Sequence, residues 1–321
     1  MDNQLYQVLL IEIRKKFAKS SEMVNALADI LRIEKGAVYR RLRHEVPFTF
    51  NEIALIAKEL MISLDSMVGI VKQNIVPFQS LLPDFISPQE DDIQMLDYYI
   101  KFLQSINRSE NSETATVVNL LPHELFSEFR HLFLFYLFEW NFLHNNNKVI
   151  PYNQISTLPE VYHYLDVYAM EMKKFKKTSF IFDSRIFQFF VNDINYVYSI
   201  RLIEKEDILK IKDDLLSLLD YLEAIAISGQ FKETGNAVNL YISDIDIATN
   251  YACMESESIH FCMVKMFLLS SVSSMDENTF EKMKRWIQSL IKISTLITLT
   301  NELQRVLYFE KQREIVNGLI I

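Results

Sequence analysis

The sequence predicts a mainly α protein, in which an N-terminal bundle of five short helices precedes a larger helical domain with a small antiparallel β meander near residues 236–275. Apolar residues recur at three- and four-residue spacing along most of the chain, as they do on one face of an α-helix. No proline follows Pro159, which favours long uninterrupted helices. The expected organisation is a first domain at 1–73, a proline-containing linker at 74–88 and a second domain at 89–321.

The first domain is expected to contain five helices, because short amphipathic runs alternate there with capping residues. The expected ranges are 3–19, 21–31, 35–42, 50–60 and 63–69. Thr49 and Glu52 have the spacing of a capping box, in which each side chain accepts a hydrogen bond from the other residue's backbone N–H. The stretch Ala28–Leu42 is therefore expected to form a helix end, a tight turn and a short third helix.

The second domain is expected to be a series of long helices. The predicted ranges are 88–103, 122–145, 158–179, 184–204, 205–228, 276–297 and 301–317. Ser87 is the predicted cap of the first of these helices, and Pro88 is its first residue. Between the predicted helices at 205–228 and 276–297, Val238, Leu240 and Ile242 alternate with other residues, and a similar alternation recurs at 259–263. Strict alternation is typical of a strand with one buried face, so a meander is predicted at 236–275.

The third helix is basic in an otherwise acidic protein. Lys35, Arg40, Arg41 and Arg43 carry four positive charges, whereas the formal net charge of the chain is -9. Residues 1–75 hold 11 Lys or Arg against 9 Asp or Glu, and the remainder holds 22 against 33. Because an acidic body repels polyanions, only the N-terminal region is expected to contact one.

Apolar and basic positions in the first domain follow a known arrangement. They are Leu27, Ala28, Leu31, Ile33, Val38, Tyr39, Arg40, Leu42, Ile53, Ala57, Leu60, Ile62, Ser63, Leu64 and Asp65. This pattern resembles the Cro and phage-repressor class of helix-turn-helix domain, the XRE type, and in particular its BetR-type N-terminal variant. Two positions depart from the family pattern: Arg32 replaces the usual turn glycine, and Glu34 replaces the usual capping Ser or Thr.

The resemblance implies that double-stranded DNA is the partner and that the third helix enters its major groove. Lys35 and Arg40 are predicted to contact bases, since the planar fork of Arg matches guanine. Gly36 and Ala37 would permit close approach. The remaining candidate residues are Arg41, Arg43 and His44, which are assigned to phosphates, and Tyr39, which is assigned to bases, phosphates or packing.

One such module makes few phosphate contacts, so a homodimer on two half-sites about one helical turn apart is expected. The predicted function is sequence-specific transcriptional regulation, with a second domain that dimerises and could sense a small-molecule or protein effector. The alternative is an adaptor whose basic N-terminal bundle binds an acidic protein partner.

Catalytic and metal-binding patterns are weak. The spacings 128–131 and 160–163 are both Glu-x-x-His, which places a carboxylate and an imidazole on one helix face in di-iron bundles. They are interpreted as polar contacts, because Glu is abundant in this chain. A metal site formed by Cys253, His260 and Cys262 would need a fourth ligand, and the sequence has none at zinc-finger spacing. With five glycines the chain has no glycine-rich loop or nucleophile elbow, so neither an enzyme nor a cofactor is expected.

Aromatic residues recur at helical spacing in the second domain. The two stripes are Phe133, Tyr136, Leu137 and Trp140, and Phe187, Phe190, Tyr196 and Tyr198. Such stripes are interpreted as core, while an aromatic-walled ligand pocket stays open as an alternative. A membrane span is not expected, because the longest apolar run, 132–143, contains Glu139 and Asn141. Two cysteines and the absence of a signal-peptide pattern favour the cytoplasm.

Overall fold

The computed structural model describes residues 3–17, 19–60, 62, 64, 67, 78–144, 150–267 and 270–319. The chain divides into two compact units. The smaller, called the helical unit below, comprises Met1–Phe78 with Ser274–Thr279. The larger, called the sheet unit, comprises Gln79–Ser273 with Phe280–Ile321.

Within the described residues, the helical unit contains the helices α1 Asn3–Lys15, α2 Ser20–Leu31, α3 Lys35–Leu42 and α4 Phe50–Glu59. Their apolar faces meet in one core, because each helix repeats apolar residues at helical spacing. The fully or almost fully buried members include Leu9, Leu10, Ile13, Val24, Leu27, Val38 and Ile56. Of the predicted fifth helix at 63–69, only Leu64 and Met67 lie within the described residues, and both are helical.

The turn that ends α2 positions α3. Arg32 ends α2 in the left-handed conformation, with φ 52° and ψ 45°. The Ile33 N–H donates to the Ala28 carbonyl at 3.1 Å and the Arg32 N–H to the Asp29 carbonyl at 3.3 Å. This pair of bonds is the Schellman arrangement, which usually places glycine where Arg32 stands. The turn therefore keeps its geometry without the glycine.

The remaining helices and the strands belong to the sheet unit, except that the end of the strand Ser270–Ser274 and the start of the helix Glu277–Ile293 fall within Ser274–Thr279. In chain order they are β1 Gln79–Leu81, α5 Glu90–Asn107, β2 Glu113–Val118, α6 His123–Phe126, α7 Arg130–His144, α8 Pro159–Lys173, β3 Lys177–Asp183, α9 Ile186–Ser199, α10 Lys205–Ser228, β4 Ala237–Ser243, β5 Asn250–Glu255, β6 His260–Phe267, β7 Ser270–Ser274, α11 Glu277–Ile293, β8 Thr295–Leu296 and α12 Glu302–Asn317. A 3-10 turn at Tyr152–Gln154 lies between α7 and α8.

The eight strands of the described residues form one mixed sheet in the order β1-β7-β6-β5-β2-β3-β4-β8. The adjacent strands β2, β3 and β4 are parallel, whereas β5 pairs antiparallel with β2 and with β6. Parallel neighbours need long crossover connections. Helices α6 to α8 connect β2 to β3, and α9 and α10 connect β3 to β4.

The prediction of a mainly α fold is wrong, because the chain is mixed α/β. The strands at 236–275 are not a small separate meander: β5 extends the parallel strands by pairing with β2. Strands β2 and β3 were not predicted. The predicted helix at 158–179 ends at Lys173, and the last three residues of that range begin β3. Both strands are short and largely buried on both faces, so their sequences lack the alternation that indicates a strand.

Helices cover both faces of the sheet. On one face, Phe102 of α5 packs on Phe261 of β6 with ring centroids 4.7 Å apart. On the other, Phe280 and Ile287 of α11 join a core with Val117 and Ile181. Part of the predicted linker, Gln79–Leu81, forms the edge strand β1 antiparallel to β7, while 74–77 lie outside the described residues. No helix in the described ranges is both long and apolar enough to cross a membrane.

Candidate nucleic-acid interface

One face of α3 is solvent-exposed and basic. Lys35, Gly36, Tyr39, Arg40 and Arg43 are exposed, and at 100° per residue they fall within an arc of about 140°. Val38 lies on the opposite side, is fully buried and anchors the helix in the core of the helical unit. The arrangement leaves the predicted base-contacting positions, Lys35 and Arg40, on the outer surface.

Gly36 is not required by packing within the helical unit. A Cβ atom added there would meet nothing within 4 Å. Glycine also lowers helix stability relative to alanine. Its place on the exposed face therefore suits the close approach of a partner, and the neighbouring Ala37 is half-buried.

The exposed arginines are held only by weak contacts. The Arg40 Nε lies 3.6 Å from Glu45 Oε2, and both side chains are largely exposed. The Arg43 guanidinium carbon lies 5.9 Å from the centroid of the Tyr39 ring. Exposed ion pairs of this kind contribute little free energy, so a phosphate or a base could replace Glu45 readily.

Arg41 has a different environment. Its Nε and Nη2 atoms donate to the two carboxylate oxygens of Glu52 at 3.2 Å and 2.6 Å, and Nη1 donates to the Ala37 carbonyl at 3.3 Å. Each side chain of the pair is 16% exposed. The charge of Arg41 is thus neutralised inside the unit, where it ties α3 to α4, instead of being offered to a phosphate.

Glu52 combines two roles. Its Oε2 accepts from the Thr49 N–H at 2.8 Å and its own N–H donates to the Thr49 hydroxyl, which confirms the predicted capping box. Burial by itself would raise the pKa of Glu52, but hydrogen bonds from Arg41 and Thr49 outweigh it and hold the pKa below its usual value. The sequence revealed the cap, but no spacing rule linked Glu52 to Arg41.

His44 is exposed but engaged with α1. Its Nε2 lies 3.2 Å from the Gln7 amide nitrogen, and its ring centroid lies 5.2 Å from that of Tyr6. The Tyr6 hydroxyl in turn donates to the Arg41 carbonyl at 3.2 Å. These contacts fix the end of α3, and no sequence pattern predicts this role for Tyr6 or Gln7.

The sequence spacings considered for metal binding do not converge. Among the residues that the structure describes, no group of three or more His, Cys, Asp or Glu side chains could hold a metal ion together. Cys253 and Cys262 are buried and occupy paired positions of β5 and β6.

The chain is thus an α/β protein, in which the sheet unit holds the mixed sheet and the helical unit presents the exposed basic helix α3. Comparison of the chain with protein-family models, with curated proteins and with solved structures gives no match.

Proposed function

We propose that the chain is a sequence-specific DNA-binding transcriptional regulator. The observation that carries this proposal is the exposed basic face of α3, supported from behind by Val38. In this proposal Lys35 and Arg40 contact base edges in the major groove and Arg43 contacts a phosphate. Arg41 acts as a positioning residue through its ion pair with Glu52.

The proposal includes a homodimer in the cytoplasm, with the sheet unit providing dimerisation and effector sensing. Few cations lie on the exposed face of α3, so one copy would bind DNA weakly at physiological salt. Two copies on two half-sites would add their contacts.

An adaptor that binds an acidic protein is the second candidate, and one observation favours it. Phe50 and Leu55 of α4 are 79% and 46% exposed. Large exposed apolar side chains are more typical of protein interfaces than of DNA interfaces, which are polar and basic.

Selection of duplexes from a random pool by the full chain tests the proposal. We expect the selected duplex to bind at least about a hundredfold more tightly than random duplex. The Arg40→Ala, Arg43→Ala double mutant should lose this preference. A matched double mutant, Arg14→Ala with Lys58→Ala, removes two exposed charges from α1 and α4 and should keep it. Equal affinity for selected and random duplex would favour the adaptor.

A further inference from the structure

A cavity of about 360 Å³ opens in the sheet unit between α6, α7 and α8. It follows the carboxyl end of β2, because His123, one of its lining residues, starts the helix after that strand. Ligands of open α/β sheets usually bind at the carboxyl ends of the strands. The volume lies within the range of small-molecule sites.

His123 is the polar group at the inner side of this cavity. It is 4% exposed, and no described atom makes a well-aligned hydrogen bond with either ring nitrogen. Burial lowers the pKa of His123 to about 3, although the nearby Leu165 carbonyl acts in the opposite direction. The ring is therefore neutral near pH 7. With its one N–H turned toward the Leu165 carbonyl, its second nitrogen has no partner among the described residues. Buried polar groups are almost always paired, so a partner from outside the chain is expected.

Aromatic rings form the walls of the cavity. The Phe133 ring centroid lies 5.0 Å from that of Tyr162 and 5.5 Å from that of His123. His123 also contacts Phe126 edge-on and stacks on Tyr168, with ring centroids 5.1 Å and 6.1 Å apart, and these contacts fix its orientation. A flat ring is the shape that such walls hold best, since offset and edge-to-face aromatic contacts are both favourable.

Two charged side chains stand at the rim. Arg130 is exposed and forms no ion pair with any residue that the structure describes, so its guanidinium is available to an anion. The planar fork of Arg matches a carboxylate in particular. Asp166, which lines the same cavity, would repel a second anionic group. Together they favour a ligand with a single carboxylate.

We propose that this cavity binds a small aromatic monocarboxylic acid with a hydroxyl or amino group on its ring. The ring lies against Phe133 and Tyr162, the carboxylate contacts Arg130, and the ring substituent pairs with His123. The inference deepens the effector role within the proposed function and rests on it. The binding measurements below use no DNA, so that either proposal can fail while the other stands.

Isothermal titration of the full chain tests the ligand class. The probes are 4-hydroxyphenylacetate and two relatives, its amide, which lacks the charge, and phenylacetate, which lacks the hydroxyl. A second candidate ligand, 2-aminobenzoate, carries an amino group on its ring. We expect 4-hydroxyphenylacetate to bind at least about tenfold more tightly than either relative, as one charged and one buried hydrogen bond would each provide. Failure of 4-hydroxyphenylacetate and of 2-aminobenzoate to bind at about 1 mM would overturn the inference, whatever the outcome with DNA.

Two variants assign the contacts. Arg130→Gln should abolish the preference for the acid over the amide, while Arg108→Gln, which removes an exposed arginine at the end of α5, should preserve it. His123→Phe should abolish the preference for the hydroxylated acid over phenylacetate. It should do so without a large fall in the melting temperature, because the His123 ring leaves one buried nitrogen unpaired and the Phe ring leaves none. Unchanged preferences in both Arg130→Gln and His123→Phe would contradict the site.

Discussion

Arg32 shows how a single residue can hold a turn in an unfavourable conformation. Its φ of 52° lies in the left-handed region, where a side chain with a Cβ atom is strained. The hydrogen bonds of Ile33 and Arg32 to α2 nevertheless close the turn between α2 and α3. The turn between α2 and α3 therefore forms here at some loss of stability.

Replacement of Arg32 by glycine should raise the free energy of unfolding of the helical unit by about 1 kcal/mol, because glycine adopts positive φ without strain. Urea unfolding of the full chain, followed by circular dichroism, measures the change. Arg43→Gly serves as the control. Arg43 also ends a helix, but its φ is -89°, so glycine should give no gain there. A loss of stability in Arg32→Gly would show that the left-handed turn is not formed.

His123 illustrates which site residues a sequence can reveal. The aromatic stripe of α7 suggested Phe133 as core or pocket wall, and it is both buried and part of the cavity lining. His123 gave no sequence signal, because its burial depends on α7 and α8 packing over it from later in the chain. Long-range burial of one polar ring leaves no local pattern of residues.

At the scale of elements, local signals placed helices well and strands poorly. The predicted helix at 205–228 is confirmed, and Gly229 ends it with a positive φ of 74°. The predicted start of α5 is wrong in detail: Gln89 is the cap, and Asp92 completes its capping box, instead of Ser87 and Pro88 opening the helix. Strands β2 and β3 were missed because neighbours on both sides and helices on both faces bury them.

The ion pair between α3 and α4 gives stability that depends on pH. The folded pKa of Glu52 lies below its unfolded value, so its contribution is fully present above the unfolded pKa. It is lost as the pH falls from there through the folded pKa, when the carboxylate gains a proton.

Glu52→Gln should lower the free energy of unfolding by about 1–3 kcal/mol at pH 7, because it removes the charge from the bidentate contact with Arg41. Well below the folded pKa the variant and the parent should be equally stable. Urea unfolding at pH 7 and at a series of lower pH values measures both differences. Glu59→Gln at the end of α4, where the side chain is exposed and makes no ion pair with described residues, should show no comparable change. A Glu52→Gln effect independent of pH would contradict the ion pair.

At the scale of the whole molecule, the two units differ in charge and in fold. The acidic part of the chain coincides largely with the sheet unit, whereas the exposed basic helix belongs to the helical unit. Sequence composition anticipated that difference, because charge needs no knowledge of folding. The mixed sheet was not predicted from the sequence, because β2 pairs with β5, which lies more than a hundred residues later in the chain. Pairings at that distance depend on the packed crossover helices, not on local propensity.

The proposed homodimer makes a geometric prediction about its DNA site. If two α3 helices occupy successive major grooves on one side of the duplex, the two half-sites must face the same side of the duplex, so the rotation between them about its axis is fixed. Insertion of about 5 bp between them turns one half-site to the opposite side and should weaken binding by about tenfold or more in gel-shift titrations. Replacing the spacer sequence without changing its length should preserve affinity. If a single half-site binds as tightly as the pair, the chain reads DNA as a monomer, because a second copy then adds no contacts.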